Sequence, residues 1–267
     1  MRQQRDVLAD LSEEGFAVDE LVAGLNSEGW ATPTPAEGWT VRHQLAHLTM
    51  VFGLAERAAA DPSGFDAFLK ELPPSFAEAV DAGMKPHLAK EPGRLLDGWR
   101  TQRAATERAL FAIPPGQVVP WLVRPIPAKV LAQAGMTELF GHGQDIADGL
   151  GVGRTYTDRV LHVAEFTALT WEFGYQARGI AVPGQGFRFE LTAPSGEPWR
   201  FGDPRAEQCV SGPAVDLCLL ATRRRHRGDL ALVASGPDAD RWLDIAQAYR
   251  GPAGTGRRPG QFAAPAH

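Results

Sequence analysis

Two short stretches of this chain carry metal-binding residue types at the spacing of one helical turn. The first is His43-Gln44-Leu45-Ala46-His47, directly after Gly38-Trp39-Thr40. The second is Glu138-Leu139-Phe140-Gly141-His142, followed by Gly143-Gln144-Asp145. Side chains four apart on a helix point the same way, so each stretch offers a pair of donors. Two such helices side by side can close a site that neither builds alone. Imidazole with carboxylate suits a borderline divalent ion, zinc first, with nickel, iron or manganese as alternatives. Two His and one Glu leave coordination positions for water or substrate, as catalytic sites do. Spacing alone keeps His43, His47, Glu138 and His142 all as candidate ligands. Asp145, three residues beyond His142 on the same face, is either a further ligand or a group that orients the imidazole.

The elements that must position these residues are legible from periodicity. Thr40 is an N-cap for a helix whose main stripe is Val41, Leu45, Leu48, Phe52 and Ala55. Met50 and Leu54, and more loosely Val51, continue the histidines' own side, so this helix is apolar nearly all round and is buried on two sides. Histidines on a second buried face need hydrogen-bond partners or a metal. The second motif lies on a helix expected over 128–150, with Ala132, Met136, Leu139, Ile146 and Leu150 facing the core and Glu138 and His142 flanking them. Gly135, Gly141, Gly143 and Gly149 each cost a helix about 1 kcal/mol relative to Ala, which points to close packing or room for a ligand.

Further helices are expected over 5–25, 95–112 and 157–177, a loop over 26–38, and short helices around Phe68-Leu69 and over 76–84 between Pro-rich breaks. This is the grammar of a helical bundle. Composition then changes: 187–192 and 198–201 read as two strands around the turn Pro194-Ser195-Gly196-Glu197, followed by a helix over 213–225, a strand over 230–234 and a helix over 238–249. The expected class is α+β, with a bundle over 1–180, a small α+β domain over 181–250 and a Gly/Pro/Arg-rich tail over 251–267.

The 267 residues are 44% hydrophobic and 22% charged with net charge −5, which argues against nucleic acid as a main partner. No stretch is long and apolar enough to cross a membrane, and the N-terminal residues Met1 to Asp6 lead into an amphipathic segment, so a cytoplasmic protein is expected. Cys209 and Cys218 are too few for a disulfide framework and read as buried small hydrophobes. No Gly-x-Ser-x-Gly elbow or Gly-Lys-Ser/Thr phosphate loop is present, and Gly149 to Gly153 is a helix end. His162 and Glu165, one turn apart without a convergent partner, read as structural. Arg124, Lys129 and the run Arg223 to Arg225 are the basic residues an anionic substrate would meet, though solvated charge is their default reading.

The string from Gly38 to Leu48 resembles the start of the second helix in the DinB-like superfamily, specifically the maleylpyruvate isomerase branch of mycothiol-dependent actinobacterial enzymes. Met136 to Asp148 resembles that branch's second metal motif, and Phe189 to Gly196 and Trp242 to Gln247 are similar to an uncharacterised actinobacterial subgroup of metal-binding proteins. The resemblance implies an N-terminal up-and-down four-helix bundle holding one divalent metal, usually zinc, through His47, Glu138 and His142. It makes His43 a pocket residue behind the ligands. The implied chemistry is thiol-assisted isomerisation or thiol transfer, with a low-molecular-weight thiol such as mycothiol bound between the bundle and the C-terminal domain. The Arg124-Pro125-Ile126-Pro127 lead-in departs from the family's small-residue pattern.

Two other readings use the same residues. One is a metal-dependent lyase or hydrolase in which His43 or Asp145 moves protons. The other is a non-catalytic bundle that binds metal or a partner. The enzyme readings expect a small electrophilic or anionic substrate, in secondary metabolism or elsewhere, and a monomer or homodimer.

Overall fold

A computed structural model of the chain describes residues 6–114, 116–122 and 124–262. The expectations placed on Met1 to Arg5 and on the end of the tail lie outside these residues. The chain divides into two compact units, 1–154 and 155–267.

The first unit is built from helices whose ends are written locally. Helix α1 (Val7–Val22) starts where Asp6 accepts the Leu8 N–H at 2.9 Å and buries Val7, Leu11, Val18 and Val22. A short α2 (Ser27–Ala31) interrupts the segment expected to be a loop. Asn26 caps it by accepting the Gly29 N–H, and the buried Trp30 gives it a reason to fold. Then come α3 (Val41–Ala60), α4 (Pro62–Leu69), α5 (Phe76–Leu88) and α6 (Pro92–Phe111), the last beginning three residues before the expected start because Pro92 occupies its first turn. A two-residue ladder, β1 (Val118–Val119) with β2 (Ile126–Pro127), leads into α7 (Ala128–Leu150), which ends at the left-handed Gly151, φ 66°.

The four long helices α1, α6, α3 and α7 pack in a ring in that order. Their directions follow from side-chain neighbours. Leu11 lies by Gly135 and Val18 by Gly143, so α1 and α7 are parallel. Asp19 pairs with Arg100 and Ser12 with Glu107, so α1 and α6 are antiparallel. Arg42 reaches the carbonyls of Leu88 and Lys90, while Gly53 lies by Gln102, so α3 and α6 run together. The expected four-helix bundle is present, but its chain directions are up, down, down, up and not the simple up-and-down alternation expected. The connection over 61–91, through α4 and α5, is what lets consecutive long helices α3 and α6 point the same way. Phe52 and Trp99 meet edge to face at 5.1 Å in the bundle core. At the unit's end the Arg154 guanidinium is buried against Glu14 and donates to the Phe140 carbonyl at 3.0 Å.

In the second unit the helix expected over 157–177 is broken. A 3₁₀ turn precedes α8 (Leu161–Leu169), and α9 (Phe173–Gln176) follows a break at Thr170, whose hydroxyl donates back to the Phe166 carbonyl at 2.7 Å. These segments group with the second unit and not with the bundle, placing the division at 154/155 and not near 180. The reason is packing: α8 lies on the later helix α10 (Ala214–Ala221). Strands β3 (Arg188–Thr192) and β4 (Pro198–Phe201) form the expected hairpin. A strand missed in the sequence, β5 (Cys209–Pro213), runs parallel to β3 inside the sheet order β4-β3-β5-β6, where β6 is Val233–Ser235. Its Gly212 and Pro213 hide the strand signal, and Gly212 (φ 139°) is needed because a Cβ would lie 2.6 Å from the Ala231 carbonyl oxygen. Helix α10 stops four residues before expected because Arg223 is left-handed, φ 62°. The arginine run is half-buried and not a solvated helix end: Arg223 donates to the Gly254 carbonyl and Arg225 stacks over Phe262. Helix α11 (Pro237–Ile245) closes the unit, its Trp242 indole donating to the Trp171 carbonyl at 2.9 Å.

Cys209 and Cys218 are both free and buried, and burial pushes the Cys218 thiol far above the usual range. Native protein should therefore react with an aromatic disulfide reagent at a small fraction of the rate of denatured protein, which should release two thiols. Rapid native labelling would contradict this packing. Among the described residues no helix is long and apolar enough to cross a membrane.

Candidate metal centre

Helices α3 and α7 lie antiparallel, and the two motifs meet at the same level. Among the described residues, His47, Glu138 and His142 form a group whose ligand-type atoms all lie within 4.8 Å of one another. One carboxylate oxygen, Glu138 Oε2, faces both imidazoles: His47 Nε2 at 3.2 Å and His142 Nε2 at 3.2 Å. A tetrahedral ion with bonds of about 2.0–2.1 Å holds neighbouring donors about 3.3 Å apart, so this spacing fits one such ion. The side chains of His47, Glu138 and His142 keep 11%, 26% and 15% of their surface, enough to admit an ion and leave a side open. Burial alone would raise the Glu138 carboxyl, but hydrogen bonds and charge from His142 and His47 outweigh it and hold the group well below the usual carboxylate range. Glu138 therefore arrives as a carboxylate at neutral pH.

Trp39 forms the wall of this cradle. Its ring stacks on His142 (6.0 Å, 21°), tilts over His47 (5.3 Å) and also faces His43 (6.4 Å). The turn bearing Trp39 is held by a bridge between Pro33 and Thr40 and by the left-handed Gly38, φ 75°. The second buried side of α3 is explained by α5, whose Gly83 lies against Met50.

The other expected site residues take supporting positions. His43 Nδ1 accepts the Thr40 N–H at 3.2 Å and lies 2.8 Å from the Thr40 hydroxyl, completing a capping box for α3. Burial and the neighbouring Arg42 charge lower the His43 pKa, with Asp81 opposing, so His43 is neutral with its proton on Nε2. Asp145 has no exposed surface and lies outside the ligand group. Arg124 and Lys129 are exposed. Two participants had gone unassigned in the sequence. Gln44, between the two histidines, places its Oε1 2.6 Å from His142 Nδ1, and Thr34 accepts from Gln44 Nε2 at 2.8 Å. A fully buried amide inside a ligand motif is the signal that could have found the first; nothing local marks the second.

Gly149 lets the 33–34 segment lie against α7, since a Cβ there would meet Pro33 O at 2.9 Å and Thr34 Cα at 3.3 Å, both backbone atoms. Gly149→Ala is expected to destabilise the protein by about 1–3 kcal/mol through this overpacking, read by urea unfolding. An unchanged midpoint would show that the segment yields freely.

The chain has relatives in sequence and in fold. Residues 11–147 match the family Mycothiol maleylpyruvate isomerase N-terminal domain. Two Mycobacterium tuberculosis proteins, Uncharacterized protein Rv0036c and Uncharacterized protein MT0041, are each 39% identical to this chain over 250 residues, 94% of it and 97% of theirs. The crystal structure of the mycothiol-dependent maleylpyruvate isomerase matches with a TM-score of 0.54 at 17% identity, over 86% of this chain and 91% of that one. A mutant of the same enzyme gives 0.53 at 17% identity, over 80% and 86%. At that identity the two crystal structures speak to the fold, which is α+β with an N-terminal helical bundle. By the extent of the family match and of the 39% identity, the chain belongs to the mycothiol maleylpyruvate isomerase N-terminal domain family.

Proposed function

We propose that this protein is a metal-dependent enzyme, zinc being the favoured ion, that uses a low-molecular-weight thiol such as mycothiol to isomerise, or to transfer the thiol onto, a small electrophilic or anionic molecule. The observation carrying the reading is the open cradle of two imidazole nitrogens on one carboxylate oxygen, in a chain of this family. A divalent ion held there supplies Lewis-acid stabilisation of a thiolate or of a developing oxyanion. The chain's own residues do the rest. Trp39 walls the cradle and limits what approaches the ligands. Glu138 contributes the negative charge that holds a cation. His43 keeps a proton on Nε2, its Nδ1 being committed to the helix cap. Asp145, buried on the same helix as Glu138 and His142, is the group we assign to orienting the ligands from behind. We place the protein in the cytoplasm, where two free thiols remain reduced.

The test is turnover of maleylpyruvate and related small unsaturated acids by metal-loaded protein, with and without mycothiol. Turnover that requires the thiol supports the reading. A rate indifferent to thiol would sink it in favour of a lyase or hydrolase.

A further inference from the structure

A second cleft, of about 580 Å³, opens between α3, α5 and α6 and has the size of a small-molecule site. Thr49 of α3 lines it, two positions beyond His47. Residues two apart on a helix project about 200° apart, so this cleft and the metal cradle lie on different sides of α3. The α5–α6 junction beside it is pinned, because Arg42 reaches from α3 to the carbonyls of Leu88 (2.6 Å) and Lys90. One end of the cleft is cationic, with Lys90 at the junction and Arg94 in the first turn of α6. Lys90 Nζ lies over Gly98, where a Cβ would be 3.6 Å from it. Asp97 lines the same cleft one turn beyond Arg94. None of these three charges makes an ion pair or a side-chain hydrogen bond among the described residues. His87 adds a ring whose Nδ1 is buried without a hydrogen-bond partner. Burial and the Lys90 charge lower its pKa, so at neutral pH it offers hydrogen bonding and no charge. The other end presents acceptors. Gln102 Nε2 donates to the Glu56 carboxylate at 2.6 Å, which orients the amide and leaves Oε1 to accept, over Gly53. The Thr101 hydroxyl donates to the Asp97 carbonyl at 2.8 Å, so its oxygen accepts as well.

We propose that this cleft binds the phosphate monoester of a small polyol or sugar. A monoester carries about 1.5–2 negative charges at neutral pH, which matches Lys90 and Arg94 together. Asp97 repels a bare anion from the other end and accepts from hydroxyl groups, as Gln102 Oε1 and Thr101 do. From Arg94 to Gln102 the cleft follows α6 for about 12 Å at 1.5 Å per residue, room for a phosphate and one sugar ring. The inference stands apart from the metal reading, since none of the residues lining the cleft is a ligand of the cradle.

Glucose 6-phosphate is the probe, titrated into the full chain by calorimetry beside glucose, inorganic phosphate and glycerophosphoinositol, with the contacted amides read from 15N spectra. Glucose 6-phosphate should bind about 10-fold or more tightly than inorganic phosphate, and should shift amides at 87–90 and 94–102. Glucose alone should not register. Lys90→Gln and Arg94→Gln, both at exposed positions, should each weaken binding about 10-fold, as loss of a charged hydrogen bond does. Asp97→Ala should lower the preference for glucose 6-phosphate over inorganic phosphate, because it removes a hydroxyl acceptor and a repelling charge at once. Glucose 6-phosphate that fails to bind, or binds no tighter than inorganic phosphate, overturns the proposal. So does binding that both Gln variants leave unchanged. The diester glycerophosphoinositol bound as tightly as the monoester would assign the cleft to a lipid headgroup and overturn it as a site for a free monoester.

Discussion

Glu138→Ala protein should emerge from purification without stoichiometric metal, while wild-type protein retains about one ion per chain by elemental analysis. Glu138 is the only anionic member of the ligand group and the atom on which both imidazoles converge. Structural zinc sites with four protein ligands bind with about 10–16 kcal/mol, so one ligand in such a site carries roughly 3–4 kcal/mol, more than a hundredfold in affinity. His47→Ala should lose metal similarly. Folding should survive, because the Glu138 side chain is partly exposed and lies beside the core stripe. Circular dichroism on the same samples separates metal loss from unfolding. Metal-free wild-type protein that takes none up would remove the basis of both enzyme readings.

Arg154→Ala is expected to cost about 3–5 kcal/mol of stability. Arg154 and Glu14 are paired with side chains only 7% and 9% exposed, and Arg154 also satisfies the Phe140 carbonyl and lies 5.7 Å from the Phe140 ring. Removing the guanidinium takes a close charge partner from a buried carboxylate, which is more damaging than deleting both partners. Arg154→Ala with Glu14→Leu should therefore recover much of the loss in urea unfolding. Equal instability of the single and double variants would show that the pair's packing, and not its charge, is what matters.

The site was readable where chemistry follows periodicity. His47, Glu138 and His142 meet because helical spacing put each pair on one face, and α7 begins and ends at the expected residues, Pro127 leading in and Gly151 closing it. Spacing could not rank His43 below His47: both lie on one face of α3, and only the turn before the helix shows that His43 Nδ1 belongs to Thr40. Thr34 was invisible because its partner is ten residues away across an irregular turn. Strand β5 was missed for a different reason. Cys209 to Pro213 has too little β-branched or aromatic character to announce itself, and it is a strand because β3 and β6 flank it. The break at Thr170 likewise depends on where α8 packs, which a helical pattern running through Trp171 does not reveal.

Helix α7 packs on both α1 and α3 and is the last helix of the first unit to be synthesised. At 5–20 residues per second, the 91 residues between His47 and Glu138 take roughly 5–20 s to make. For that interval the faces of α1 and α3 that await α7 have no partner, and the cradle consists of one histidine. The nascent chain must be sheltered until α7 emerges, and the bundle and its metal-binding capacity then appear together, late in synthesis.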